Sequence, residues 1–302
     1  MNVILRRIAM AAGALVALAV VAACAVYFMS ERHVTRRYAL VTETIPLPTD
    51  SASLARGRHL ARAIAKCADC HTETFGGHVL MDNPAMGRIV SLNLTRGKGG
   101  LGTTLTDADW VRAIRHGVGH DGRALRIMPA RDFRDLSAAD LGEIIAYAKS
   151  VPPVDNELPP NTLGPVSRAL IATNQFPLFD AETSDFASHA PATAPPVGPT
   201  AEYGSYLVHT AGCTGCHGPT LSGGKIPVGD PSWPPAANLT PSGLTAYDQA
   251  AFTTLLRTGM RPGGTKIRSP MPIEWTKEMT DDEITALWLY LKTVRPKDFG
   301  GR

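Results

Sequence analysis

Cys67-Ala68-Asp69-Cys70-His71 and Cys213-Thr214-Gly215-Cys216-His217 are two copies of one pattern, and with Cys24 they account for all five cysteines of the chain. Cys-x-x-Cys-His is the pattern that fixes a c-type haem. Two thiols about one helical turn apart reach the two vinyl groups and form thioethers, and the adjacent histidine lies under the iron as its proximal ligand. A structural zinc site needs four ligands, whereas each copy supplies three at most. A thioredoxin-like redox pair sits between a strand and a helix and has no use for the histidine. Zinc and disulfide chemistry remain the alternatives, but haem attachment is the reading that uses every residue of both copies.

The repetition extends well beyond the cysteines. Gly57-x-x-Leu60 before the first copy matches Gly204-x-x-Leu207 before the second, and Gly76-Gly77 and Gly223-Gly224 follow the two histidines. Asn93-Leu94-Thr95 returns as Asn238-Leu239-Thr240, Leu105-Thr106 as Leu244-Thr245, Arg115-His116-Gly117 as Arg257-Thr258-Gly259, and Met128-Pro129 as Met271-Pro272. After the methionines the copies run without gaps, ending in amphipathic helices that start at Ser137 and Thr280. Both are N-cap residue types, and Thr280 with Glu283 spells a capping box. Behind them Leu141, Ile144, Ile145 and Ala148, and Ile284, Leu287, Trp288 and Leu291, recur at helical spacing and face a core. A module of under 100 residues has little apolar core of its own, and a covalently fixed haem supplies packing surface.

At the other end of the chain, Arg6 and Arg7 precede an uninterrupted apolar run from Ile8 to Met29. At 1.5 Å per residue, those 22 residues cross a hydrocarbon core of about 30 Å. The run is longer than the apolar part of a cleaved signal peptide, so it reads as a retained signal anchor. Val21-Ala22-Ala23-Cys24 also resembles a lipoprotein cleavage box, although apolar residues continue past Cys24. The expected division is 1–30 anchor, 31–50 tether, 51–154 first module, 155–200 proline-rich linker and 201–302 second module, with a short helix near Arg168–Asn174. Of the residues, 44% are hydrophobic and 19% charged, with a formal net charge of +3, so the footprint of a nucleic-acid binder is missing.

The order of these stations resembles the class I cytochrome c family over roughly residues 52 to 154 and 201 to 296. It is most similar to the cytochrome subunits of bacterial membrane-bound dehydrogenases, although the best-known of those carry three haem modules and this chain carries two. The resemblance implies a mainly α fold of two tandem cytochrome c-like helical domains behind one transmembrane helix, holding two covalently bound haem c groups. It implies His71 and His217 as proximal ligands, and Met128 and Met271 as the sixth ligands. A soft thioether there favours reduced iron and closes its coordination. Met81, Met86 and Met260 have no methionine counterpart in the other copy and read as packing residues. Arg115 and Arg257 are candidates to pair with the haem propionates, and Asn93 and Asn238 either bond near the propionates or form turns. Trp110 and Phe252 read as core aromatics.

Haem is attached after export, so both modules are expected on the periplasmic face of the bacterial inner membrane. The leading function is a relay that takes electrons from a dehydrogenase or quinol-oxidising partner and passes them to a terminal oxidase or soluble cytochrome. A dihaem peroxidase is the alternative, and it requires one iron with an open position. A redox-sensing or assembly subunit is a third class. No catalytic triad, phosphate loop or flavin fingerprint is present, so any substrate chemistry belongs to a partner.

Overall fold

A computed structural model describes residues 3–39, 42–176, 178–183, 194–227, 230 and 232–301, and it is mainly helical. The first module begins with α2 (Ser51–His59), capped by the Asp50 carboxylate and continued by a π-helical turn from Leu60 to Ile64. Lys66, at φ 51°, turns the chain into α3 (Cys67–His71). A hairpin of β1 (His78–Asn83) and β2 (Gly87–Ser91) follows, then α4 (Asp107–His116), α5 (Ala130–Phe133) and α6 (Ala138–Ser150). After α7 (Pro165–Ala172), the second module repeats the plan with α8 (Ala201–Thr210), α9 (Cys213–His217), α10 (Gln249–Thr258), α11 (Ile273–Thr276) and α12 (Asp281–Thr293). Gly212, at φ 67°, takes the place of Lys66 in a left-handed conformation that costs glycine nothing.

Helix starts follow the side chains that satisfy their free N–H groups. Ser137 caps α6, and Thr280 and Glu283 exchange both bonds of a capping box at α12. Thr106 and Asp109 form a second box at α4. Its sequence match, Thr245, does not cap α10; Asp248 does, accepting from Ala251 N at 2.7 Å. In each module the first helix lies across the last at a glycine. A Cβ on Gly57 would overlap the Glu143 carbonyl and one on Gly204 the Ala286 carbonyl, so α2 and α6, and likewise α8 and α12, pack backbone to backbone. Leu60, Ile64, Leu141 and Ile145, and Leu207, Ile284 and Leu291, are buried around these crossings.

Three segments depart from the expected division. The apolar helix α1 (Val3–Thr35) continues past residue 30, and the tether beyond it is not free: Tyr38 N donates to Gly122 O, and Ile45 is buried in the first module's core. Residues 155–163, at the start of the expected linker, are not loose either. They run along the first module, with Asn156 Nδ2 donating to the carbonyls of Gly76 and Gly77, and Asn161 Oδ1 accepting from Val90 N. The expected short helix starts three residues early, at Pro165, because proline suits the first helical turn. Arg168 from α7 stacks on the Tyr27 ring at 4.5 Å and pairs with Glu31 at 3.0 Å, which fastens α7 to the emerging end of α1.

The modules meet across a shared core along a seam of paired contacts. His59 meets Glu283 at 2.9 Å, and Tyr206 OH donates to Asp140 at 2.6 Å; counting from Gly57 and Gly204, and from Ser137 and Thr280, these are equivalent positions. Trp275 Nε1 donates to Asp69 Oδ1 at 2.9 Å, while its equivalent Asp132 stands over Gly212 and Gly215. Lys66 Nζ donates to Ala211 O at 2.6 Å, joining the two cysteine motifs. The first two contacts exchange with each other, as do those of Trp275 and Asp132, so the modules are related by an approximate two-fold axis that Lys66 breaks, since Gly212 stands at its equivalent position.

Candidate functional site

Each Cys-x-x-Cys-His motif forms one short helix, and its histidine is oriented in the same way in both modules. His71 Nδ1 lies 3.0 Å from Leu92 O, and His217 Nδ1 lies 2.7 Å from Ala237 O. A carbonyl only accepts, so Nδ1 carries the proton and Nε2 is left with its lone pair for a metal. Burial holds His71 below its usual pKa, which keeps the ring neutral. Burial also pushes the Cys67 thiol up to about 12 and raises Cys70 and Cys213. These are thiols set in an apolar wall, not thiolates poised for exchange. All four are free of disulfides, and among the described residues no group of three or more His, Cys, Asp and Glu side chains is arranged to hold a metal ion.

In the first module a cavity of about 390 Å³ opens beside α3. Cys70, His71 and Met128 line it, and its walls are mostly apolar, with Leu94, Leu105, Ile114 and Val34 of α1 among them. Met128 comes to the cavity on a turn that the second module reproduces. Pro129 and Pro272 have φ,ψ of −80°,60° and −83°,62°, and the residue after each donates back to the methionine carbonyl, Ala130 to Met128 at 2.8 Å and Ile273 to Met271 at 2.9 Å. Met81 lies on β1 against Ile89, Met86 lies in the hairpin turn, and Met260 lies in an isolated bridge with Lys266. The structure thus brings His71 and Met128 to one cavity and keeps the first module's other methionines off its wall.

The matched arginines, candidates for propionate pairing, each hold main-chain carbonyls with one guanidinium nitrogen. Arg115 Nη1 donates to the carbonyls of Arg134 and Leu136 at 2.7 and 2.8 Å, and Arg257 Nη1 donates to those of Lys277 and Met279. These carbonyls end the short helices after the methionines, and a guanidinium fork satisfies them. The arginines therefore staple the methionine-bearing loop to the preceding helix. Asn93 and Asn238 take the turn role. Each side-chain oxygen accepts from the threonine N–H two residues on, and each Nδ2 donates to the strand leaving the last helix, at Val154 O (2.7 Å) or Lys297 O (2.8 Å). The paired glycines also match one residue differently from their sequence alignment. Gly77 and Gly223, at φ 69° and 76°, are equivalent, and their N–H groups donate to His71 O and His217 O.

Two family models divide the chain as the repeat does: one described as cytochrome C oxidase, cbb3-type, subunit III matches residues 52–147, and one described as cytochrome c matches residues 201–295. The chain belongs to the cytochrome c family. This cytochrome c is 32% identical to one of the subunits of the nicotinate dehydrogenase of Pseudomonas putida, over 69% of its own length but only 18% of that protein's. It is 28% identical to the cytochrome c subunit of the quinone alcohol dehydrogenase of Gluconacetobacter polyoxogenes, covering 82% of this chain and 57% of the relative. It is 29% identical to the fructose dehydrogenase cytochrome subunit of Gluconobacter japonicus, covering 86% and 56%. The chain thus spans about a fifth of the first relative and a little over half of the other two.

The residues fit a haem in this cytochrome c on grounds of their own. Besides the thiol pair, the oriented imidazole and the apolar walls, two buried donors on the first cavity's wall have no acceptor among the described residues: Trp110 Nε1 and Arg126 Nη1. A buried N–H without a partner is costly, and a ligand carrying carboxylates at that wall removes the cost. Neither residue was legible as a haem contact in the sequence, because neither has a like residue in the other copy. His120 also lines the cavity and is exposed in the turn before Arg123.

Proposed function

We propose that the chain is a dihaem c-type cytochrome that relays electrons at a membrane surface. One haem is fixed by Cys67 and Cys70 with His71 and Met128 on its iron, the other by Cys213 and Cys216 with His217 and Met271. The observation that carries the reading is duplication of the whole ligand arrangement: a histidine with its Nδ1 bonded to a carbonyl, and a Met-Pro turn stapled by an arginine, in both modules. Two irons closed by thioethers suit a carrier better than a peroxidase, whose chemistry needs an open position.

Four relatives named as subunits of dehydrogenases acting on nicotinate, alcohols, fructose and gluconate support a dehydrogenase as the electron donor. Their substrates differ, so the chemistry lies in the partner and the cytochrome serves as its electron outlet. A terminal oxidase or a soluble cytochrome is the acceptor that this role calls for. The apolar helix α1, exposed from Val3 to Ala25, supports attachment to the bacterial inner membrane, and haem attachment after export supports a periplasmic position for both modules. Pyridine haemochrome assay and intact mass of the membrane-extracted chain should give two haems, with an oxidised spectrum that is low-spin and shows a sulfur-to-iron charge-transfer band. One haem or none in a host able to mature c-type cytochromes would sink the reading. A bis-histidine spectrum in the first module would replace Met128 by His120.

A further inference from the structure

Two positions on the first cavity's wall carry chemistry that their equivalents in the second module lack. Trp110 of α4 is 3% exposed and Arg126 stands two residues before Met128; both line the first cavity with a buried, unpartnered donor. The same positions in the second module are Phe252 of α10 and Ser269, two residues before Met271. A phenyl ring donates no hydrogen bond, and serine carries no charge. The remaining charges on the first cavity's wall are accounted for. Asp121 and Arg123 face each other at 3.8 Å and are about half exposed, and His120 is exposed. Glu31 and Arg168, the charged groups facing Arg126 from α1 and α7, pair with each other at 3.0 Å. Among the described residues lining this cavity, Arg126 is therefore the cation whose field acts on it from inside the protein. In the second module Arg268, beside Ser269, is exposed, where water and salt screen it.

We propose that Arg126 and Trp110 clasp the haem carboxylates of the first module and set its reduction potential above that of the second, so that within the chain electrons run from the second haem to the first. This rests on the dihaem reading above. A bare propionate stabilises ferric iron, which carries one more positive charge than ferrous iron, and a guanidinium paired with it cancels that preference. A unit charge at about 10 Å in a medium of effective dielectric about 20 shifts such an equilibrium roughly tenfold. The step itself is one electron. Ferrous haem in the second module is oxidised, ferric haem in the first is reduced, and no proton or co-reactant is involved. The second module thereby becomes the receiving side, and the first, whose cavity wall includes Val34 of the membrane helix, becomes the delivering side.

Redox titration of the full-length, detergent-solubilised holoprotein tests this. Two waves are expected, and M271A, which alters only the second haem's ligation, identifies the lower one as the second module's. R126M should lower the upper wave alone by about tenfold in its equilibrium, or about 59 mV for one electron, with haem content unchanged. W110F, which copies the residue of the second module, should move the same wave the same way by less, and R126K should recover most of the shift. The proposal is overturned if R126M moves neither wave or both equally, or if the first module's wave is the lower one in the unmodified protein. Should R126M not mature, W110F and R126K carry the same comparison. An unmodified chain without two covalent haems would refute the dihaem reading itself, and the haemochrome assay shows this before any titration.

Discussion

Asp132 stands at the module seam, and burial, its largest influence, pushes its carboxyl up to about 6 from an ordinary 3.8, with Asp180 adding to the rise and Arg131 and Lys66 opposing it. Between those two values the unfolded chain has released the proton and the folded chain still holds it, so raising the pH favours unfolding. Stability contributed below pH 4 is lost by about pH 6, at most about 3 kcal/mol for a shift of this size. Denaturant midpoints at pH 4, 6 and 8 should fall through that window in the wild type relative to D132N, whose side chain cannot ionise; parallel curves would assign the seam's pH response to another group. At this scale the sequence was readable where chemistry demands adjacency. Two thiols and an imidazole in five residues have one economical use, so Cys67, Cys70 and His71 stood out. Arg115 and Arg257 were legible as a matched pair but not in their task, because a repeat shows that two guanidinium groups are equivalent and not which carbonyls lie within their reach.

The crossing of first and last helices depends on Gly57 and Gly204, where even a methyl group would strike main-chain carbonyls that cannot swing aside. Gly204→Ala should force α8 away from α12 and cost about 1–3 kcal/mol by overpacking, read as a lower thermal midpoint for a chain that still carries both haems. An unchanged midpoint would mean that the crossing relaxes freely. Serine and threonine caps announced α6 and α12, because capping is a local transaction between a side chain and the next turn. The hairpin β1–β2 gave no such signal. Its strands are five and six residues long, and its burial does not alternate cleanly, since both faces meet protein at Ile89 and Val90. The stretch from 155 to 163 read as linker for a related reason. Proline fixes its extended shape, but Asn93, Lys98 and Val90 decide that it lies down on the first module, and they are distant in sequence.

Over the whole molecule the apolar helix α1 is fastened to the first module. Arg168 reaches Tyr27, Ser30 and Glu31 together, so a chain beginning at residue 26 keeps that clasp while losing most of the apolar run. It should be soluble, carry two haems and resist proteolysis across 165–176, whereas a chain beginning at residue 36 should be cut there at least tenfold faster. Equal cleavage rates would show that α7 holds to the first module without α1. The two-module plan was legible because duplication leaves the same stations in the same order, but the seam between modules was not, since its contacts are made of single residues that differ between copies: histidine with glutamate on one side of the axis, tyrosine with aspartate on the other. That axis has an evolutionary meaning. A face that meets its own equivalent through a two-fold is the face of a homodimer, and this chain is geometrically such a dimer with its subunits joined end to end. In a true homodimer every substitution is made twice and the halves stay identical. Fusion lifts that rule, and differences such as tryptophan against phenylalanine at positions 110 and 252 accumulate only because one gene now spells each half separately.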